Sequence, residues 1–212
     1  MALAFDVKNI FKISEKKRNV SLRRLTLMDR DCVQKWLSDP YILRLTFVVP
    51  GPGSMPALPF SKSSMEQYLN LLVQDPIRLT YAIEVDGEHV GNIGLKEINQ
   101  TAGTSEYFIE IGEQKYRGIG VGTAASAILL DYGLLSMGLR EVRLEVLEFN
   151  DAAIRVYQRL GFERTHRTGW HYDDNGQYWQ VWGMRLTRER WLLTRKQLDL
   201  PEGLILSSLA KV

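Results

Sequence analysis

Arg117-Gly118-Ile119-Gly120-Val121-Gly122-Thr123 decides the fold of this chain. Before it stands Tyr107-Phe108-Ile109-Glu110-Ile111, a strand-like run. After it, Ala124 to Leu135 runs without a helix breaker except Gly133. A strand feeding a glycine-dense turn that opens a helix leaves several backbone N–H groups unpaired at the helix start. Those donors and the positive end of the helix dipole suit a phosphate group. A side chain at 118, 120 or 122 would hold phosphate oxygens away from the backbone.

Two phosphate folds compete for this stretch. Gly120-Val121-Gly122-Thr123-Ala124-Ala125 fits the dinucleotide pattern G-x-G-x-x-G/A, with Glu145 further on. That fold needs a buried strand running straight into the first glycine, and here Glu113 to Arg117 intervene. The other fit is R-x-x-G-x-G, from Arg117 to Gly122. It gains weight from a second motif downstream, N-x-x-A-x-x-x-Y-x-x-x-G-F, spelled by Asn150, Ala153, Tyr157, Gly161 and Phe162. In this order, joined by a helix and the strand Val142–Leu147, the pair resembles the two coenzyme A motifs of the GNAT superfamily of N-acetyltransferases. The resemblance covers roughly residues 20–191 and is motif-grade over 106–162.

The resemblance implies an α+β (α/β) fold: one GNAT-type domain with a twisted, mostly antiparallel mixed sheet of six to seven strands between helices. It implies transfer of an acetyl group from acetyl-CoA to a primary amine by direct attack. Cofactor contacts fall on Ile111, Arg117, Gly118, Ile119, Gly120, Val121, Gly122, Thr123, Asn150 and Ala153. An aliphatic ammonium with a pKa near 10.4 must lose a proton before attack. Glu106 and Glu110, four residues apart on one strand face, are the candidate bases. Tyr157 is the candidate acid for the leaving thiolate, whose basicity is close to cysteine's, about 8.5. No metal and no covalent enzyme intermediate are called for. A non-catalytic acyl-CoA sensor on the same fold and a dinucleotide-dependent oxidoreductase are the alternatives.

The 212 residues suit one domain, and 27 basic against 25 acidic residues give nucleic acid little electrostatic purchase. Cys32 stands alone and His89, His166 and His171 are scattered, which opposes a disulfide or a zinc cluster. The first nineteen residues lack a signal peptide's apolar core and no run approaches a membrane span, so the chain reads as soluble and cytoplasmic.

Residues 1–19 read as an irregular or partly helical arm, 20–191 as the domain and 192–212 as a tail. Val20–Leu27 alternates as a first strand. Thr26 or Asp29 caps a helix through Asp31–Leu37. Trp36-Leu37-Ser38-Asp39-Pro40 resembles the W-x-x-D-P turn of ribosomal-protein N-terminal acetyltransferases; read plainly, Trp36 is core and Asp39-Pro40 a helix stop. Pro50–Pro59 is irregular. The GNAT resemblance implies that this connection borders the acceptor site, which Phe47 and Phe60 would line; read plainly, it is a stiff surface loop with those two residues as core anchors. Ser61–Val73 reads as a helix capped by Ser61 or Ser63. Thr80–Val85 and Val90–Ile98 form a hairpin around Asp86-Gly87-Glu88. Gly91 and Gly94 would weaken their strand unless something approaches closely. Glu106–Gly112 is the next strand. Thr123–Met137 is a nearly apolar helix, Asp131 its one charge, that must be buried. Asn150 or Asp151 caps a helix to Leu160. Thr165–Trp170 and Tyr178–Leu186 close the sheet around Asp173–Gly176, and Arg188–Lys196 is a short helix. The apolar tail (Leu204, Ile205, Leu206, Leu209) suits docking on the domain itself or on a second copy in a homodimer. The acceptor is a small-molecule or peptide amine of unspecified kind.

Overall fold

A computed structural model describes residues 7–13, 16–45, 62–172 and 177–198. The Pro50–Pro59 segment with Phe47 and Phe60, the Ser61 cap, the Asp173–Gly176 turn and the tail from 199 lie outside them.

The described residues form one eight-stranded sheet in the order β1-β2-β3-β4-β5-β6-β8-β7. Every neighbouring pair is antiparallel except β5 and β6. The eighth strand comes from the N-terminal arm, expected to be irregular or partly helical: β1 (Val7–Ile13) pairs along its length with β2 (Lys16–Arg24). Val7, Phe11 and Ile13 do alternate with Lys8 and Lys12, but Asn9 and Ile10 blur the period.

After β2 come α1 (Arg30–Leu37) and α2 (Pro40–Leu45), then α3 (Lys62–Gln74). The Asp39-Pro40 stop is also a restart. Pro40 opens α2, where its missing N–H costs nothing, and Asp39 Oδ1 accepts from Tyr41 N–H at 2.9 Å. β3 (Leu79–Val85) and β4 (Glu88–Asn99) meet at Asp86 and Gly87. Both have positive φ, 53° and 86°, the type I′ geometry that matches strand twist. β5 (Thr104–Ile111) leads to the glycine loop and α4 (Val121–Leu130). Then follow β6 (Glu141–Leu147), α5 (Asp151–Arg159), β7 (Glu163–Tyr172), β8 (Tyr178–Thr187) and α6 (Arg188–Gln197).

The two sheet faces differ. Tyr81, Ile83, Ile93, Leu95, Tyr107, Leu144 and Met184 point toward α4, α5 and α6 and make the large core. α4 is buried from Ala124 to Leu130, as an all-apolar helix must be. It continues as a π-helical segment, Asp131–Ser136, rather than as the regular helix expected to Met137. The buried Asp131 carboxylate accepts from Trp191 Nε1 at 2.8 Å and Arg195 Nε at 2.8 and 2.9 Å, so its charge is compensated. On the opposite face, Leu25, Val33, Leu37, Met65, Leu69 and Leu72 pack α1 and α3 over Ala82.

Candidate active site

The site begins where two strands part. β5 and β6 pair only through Thr104–Glu141, Ser105–Val142 and Glu106–Arg143. Beyond Glu106, among the described residues, β5 keeps β4 on one edge and has no strand on the other, while β6 pairs with β8 alone. The fork opens toward the strand ends that carry the glycine loop and Asn150. Backbone groups that β5 and β6 turn toward each other across the fork can pair with an extended polar chain.

The glycine loop stands at one tip of the fork. Gly118 and Gly120 have φ of 73° and 103°, which L side chains rarely adopt, and a Cβ at either would meet nothing within 4 Å. Left-handed backbone beside open space at a helix start suits an anion held by N–H groups. Val121 is fully buried, whereas Ile119, Gly122 and Thr123 are partly exposed. Ser126 Oγ donates to Gly122 O at 2.6 Å and lies 2.6 Å from Tyr107 Oη, tying the first turn of α4 to β5. These features fit a pyrophosphate on the loop and an amide-bearing arm along β5.

Arg117 is used differently from what its motif position suggests. Its Nε donates to Ile111 O at 2.9 Å, and its Nη2 to Gly112 O at 2.6 Å and Asp39 Oδ2 at 3.1 Å. The guanidinium faces the protein.

At the other tip, Asn150 caps α5 with its Oδ1 accepting from Ala153 N–H at 3.2 Å. Its amide nitrogen has no partner among the described residues. Tyr157, two turns on, is 7% exposed and stands edge-on to Tyr107, ring centres 5.9 Å apart, and 5.8 Å from Phe162. Its hydroxyl has no hydrogen-bond partner among the described residues, and burial pushes its pKa well up, so it is protonated at neutral pH.

The carboxylates occupy the opposite face. Glu106 sits at the branch point of the fork and forms an ion pair with Lys96 Nζ at 2.7 Å. Burial raises its pKa and Lys96 pulls it back. Glu110 is also raised by burial; Asn92 Nδ2 donates to it at 2.7 Å, and His89 further off opposes the rise. A polar chain continues from there. His89 Nε2 lies 3.1 Å from both Asn92 Oδ1 and Gly91 O. A carbonyl only accepts, so Nε2 carries a hydrogen. His89 Nδ1 stands 3.3 Å from Asp29, which Arg23 grips at 2.6 and 2.9 Å. Lys96, Asn92 and His89 escaped the sequence reading, because their roles follow from the β4–β5 register. Both strand glycines are approached closely: a Cβ would strike the Glu110 backbone at Gly91, and Leu79 O and the Phe108 ring at Gly94.

Glu106 also lines a cavity of about 840 Å³ on the part of this face beyond α1 and α3. Glu97, Glu141, Glu145 and Glu163 join it there, against Arg143, Arg164 and Arg185, so carboxylates outnumber guanidiniums. Glu110 is not among the lining residues. The structure therefore separates the two candidate bases. No cluster of metal-ligating side chains occurs among the described residues, nor any helix long and apolar enough to cross a membrane.

Residues 19–163 match the acetyltransferase (GNAT) domain family. The chain belongs to that family. Over 124 residues it is 31% identical to the spermidine N(1)-acetyltransferase of Escherichia coli (strain K12), a match covering 58% of this chain and 66% of that protein. The chain thus spans just under two thirds of that relative's length. The spermidine N-acetyltransferase of Vibrio cholerae, solved with CoA and spermine, superposes with a TM-score of 0.70 at 22% identity, covering 82% of this chain and 98% of that one. A dodecameric structure of the Vibrio cholerae spermidine N-acetyltransferase gives 0.67 at 21% identity, covering 82% and 96%. At such identities the fold is what the structures share.

Proposed function

We propose that this GNAT protein is an acetyl-CoA-dependent N-acetyltransferase whose acceptor is a polyamine. The observation that carries the acceptor class is the carboxylate-rich cavity beside Glu106 at the fork. A polycation gains Coulomb energy from several carboxylates at once. The spermidine acetyltransferases above support the same reading.

Acetyl-CoA supplies an activated acyl group on a thiolate leaving group. The loop N–H groups from Gly118 to Thr123 hold its pyrophosphate, and Asn150 offers its free amide donor to the arm. Glu106 takes one proton from the acceptor ammonium, the neutral amine bonds to the acetyl carbon, and the second proton of that nitrogen leaves with the sulfur as coenzyme A thiol. Glu110 is the second candidate. Tyr157 donates a hydrogen bond to sulfur as the carbon–sulfur bond breaks. Because burial makes full proton loss costly for this phenol, its help is greatest once negative charge has built up on sulfur. Most of the acceleration is then positioning.

The unit that carries this activity is a single domain over 20–191, extended by β1 and the end of α6. Self-association is part of the reading, supported by the dodecameric relative and by Leu192 and Leu193, 44% and 58% exposed on α6. A second reading takes a protein N-terminus as acceptor, favoured by the resemblance of Trp36–Pro40 to the turn of ribosomal-protein N-terminal acetyltransferases.

The test mixes the purified chain with acetyl-CoA and, separately, spermidine, spermine and a short peptide with a free N-terminus. Thiol release and product mass are followed. Acetylated polyamine is expected. Turnover with the peptide alone would shift the assignment to the second reading, and none with any acceptor would remove the first.

A further inference from the structure

The corner between α1 and α2 is fastened to the entrance of the glycine loop at three points. The Trp36 indole lies so close over Gly112 that a Cβ there would overlap it. Trp36 Nε1 and Lys35 Nζ both donate to Glu113 Oε1, at 3.0 and 2.6 Å. Asp39 Oδ2 accepts from Arg117 Nη2 at 3.1 Å, and Tyr41, one residue past Pro40, lays its ring 4.6 Å from the same guanidinium. Arg117 itself closes back on Ile111 O and Gly112 O, bracing the end of β5 against the loop. α2 then reaches the other tip of the fork, where Arg44 covers the Phe149 ring at 5.0 Å, next to Asn150. Gly112, Glu113 and Arg117 thus take their positions from residues some 78 places earlier.

We infer that Asp39 is a positioning residue for cofactor binding: through Arg117, an internal clamp and not a phosphate ligand, it holds the glycine loop in its anion-binding shape. The inference rests on the proposed use of that loop. A loop whose two left-handed glycines carry no side chain, and where an added Cβ would meet nothing within 4 Å, has little side-chain packing at those positions to define it. A charge-assisted bond from Arg117 to Asp39, both partly buried, supplies that definition. The cost of ordering the loop is then met before the cofactor arrives.

Asp39→Asn is the informative variant. It keeps the Oδ1 acceptor for Tyr41 N–H, and with it the start of α2, but removes the charge facing Arg117. Calorimetry with CoA should show about tenfold weaker binding than wild type, while kcat at saturating acetyl-CoA stays within about twofold. Affinity for pantetheine, which lacks the pyrophosphate, should not change. In an Arg117→Gln background the Asp39→Asn change should add nothing, since both act through one contact. Equal CoA affinity in wild type and Asp39→Asn overturns the inference, as does an equal loss for pantetheine. Wild-type protein that fails to bind CoA would instead overturn the cofactor reading of the loop.

Discussion

Asn92 Nδ2 donates to Glu110 Oε1 at 2.7 Å, while Lys96 Nζ meets Glu106 at the same distance on the same strand face. One carboxylate is held by a neutral amide and the other by a cation. The pKa values of both are raised, by burial first. A base works only when deprotonated, so the rate should fall as pH drops through a value above the ordinary carboxylate's. Glu106→Gln should lower kcat at least 10²-fold and abolish that acidic limb, whereas Glu110→Gln should cost under tenfold and keep it. Lys96→Met removes the cation that pulls Glu106 down, so the limb should move to higher pH. Steady-state pH profiles of the three variants decide; a limb lost in Glu110→Gln alone would transfer the role.

Tyr157 makes no hydrogen bond among the described residues, so its hydroxyl is not needed to satisfy the fold. Phe keeps the ring contacts with Tyr107 and Phe162. Tyr157→Phe should therefore leave the melting temperature nearly unchanged and lower kcat by about 10²-fold. Full turnover in this variant, measured where chemistry limits the rate, would reduce Tyr157 to a core residue.

At Gly120, φ is 103° and a Cβ would meet open space. A side chain there costs about 1 kcal/mol of backbone strain without a clash. Gly120→Ala should lower stability by that amount and weaken CoA binding. Gly120→Glu should also place a carboxylate where phosphate is expected and abolish binding in a folded protein. Unchanged CoA affinity for the Glu variant would remove the loop from the site.

What the sequence made legible is local. The loop, the α5 cap at Asn150 and the Tyr157 position each need only neighbours within one turn or one motif. The Asp86-Gly87 turn likewise sets a hairpin with two residues. Lys96 with Glu106 and Asn92 with Glu110 were hidden because a one-residue register shift sends each side chain to the other face. Arg117 with Asp39 was hidden because the pair joins elements separated by α3 and three strands. The family motif set Arg117 among the cofactor contacts, whereas its guanidinium turns inward to Ile111 O, Gly112 O and Asp39.

Asp29 anchors the far end of the polar chain that reaches Glu110. Burial alone would raise its pKa, but hydrogen bonds from Arg23 and Thr26, with the His89 ring close by, outweigh that and hold it well below the usual carboxylate range. A depressed folded-state pKa stabilises the fold above the unfolded value of about 3.9, and the gain disappears as pH falls through the folded value. Arg23 also meets Glu84 at 2.8 Å and is about one-third exposed, so solvent screening discounts the pair. Arg23→Gln should cost about 2 kcal/mol at pH 7, partly from leaving Asp29 buried without its cation. Below about pH 4 the variant's Asp29 takes up a proton that the wild type's resists, and the gap between the two should narrow. Urea titrations at pH 7 and pH 3 give the comparison. An equal deficit at both would mean that Arg23 contributes packing alone, and that the charge on Asp29 plays no part in holding His89 and Asn92 in line.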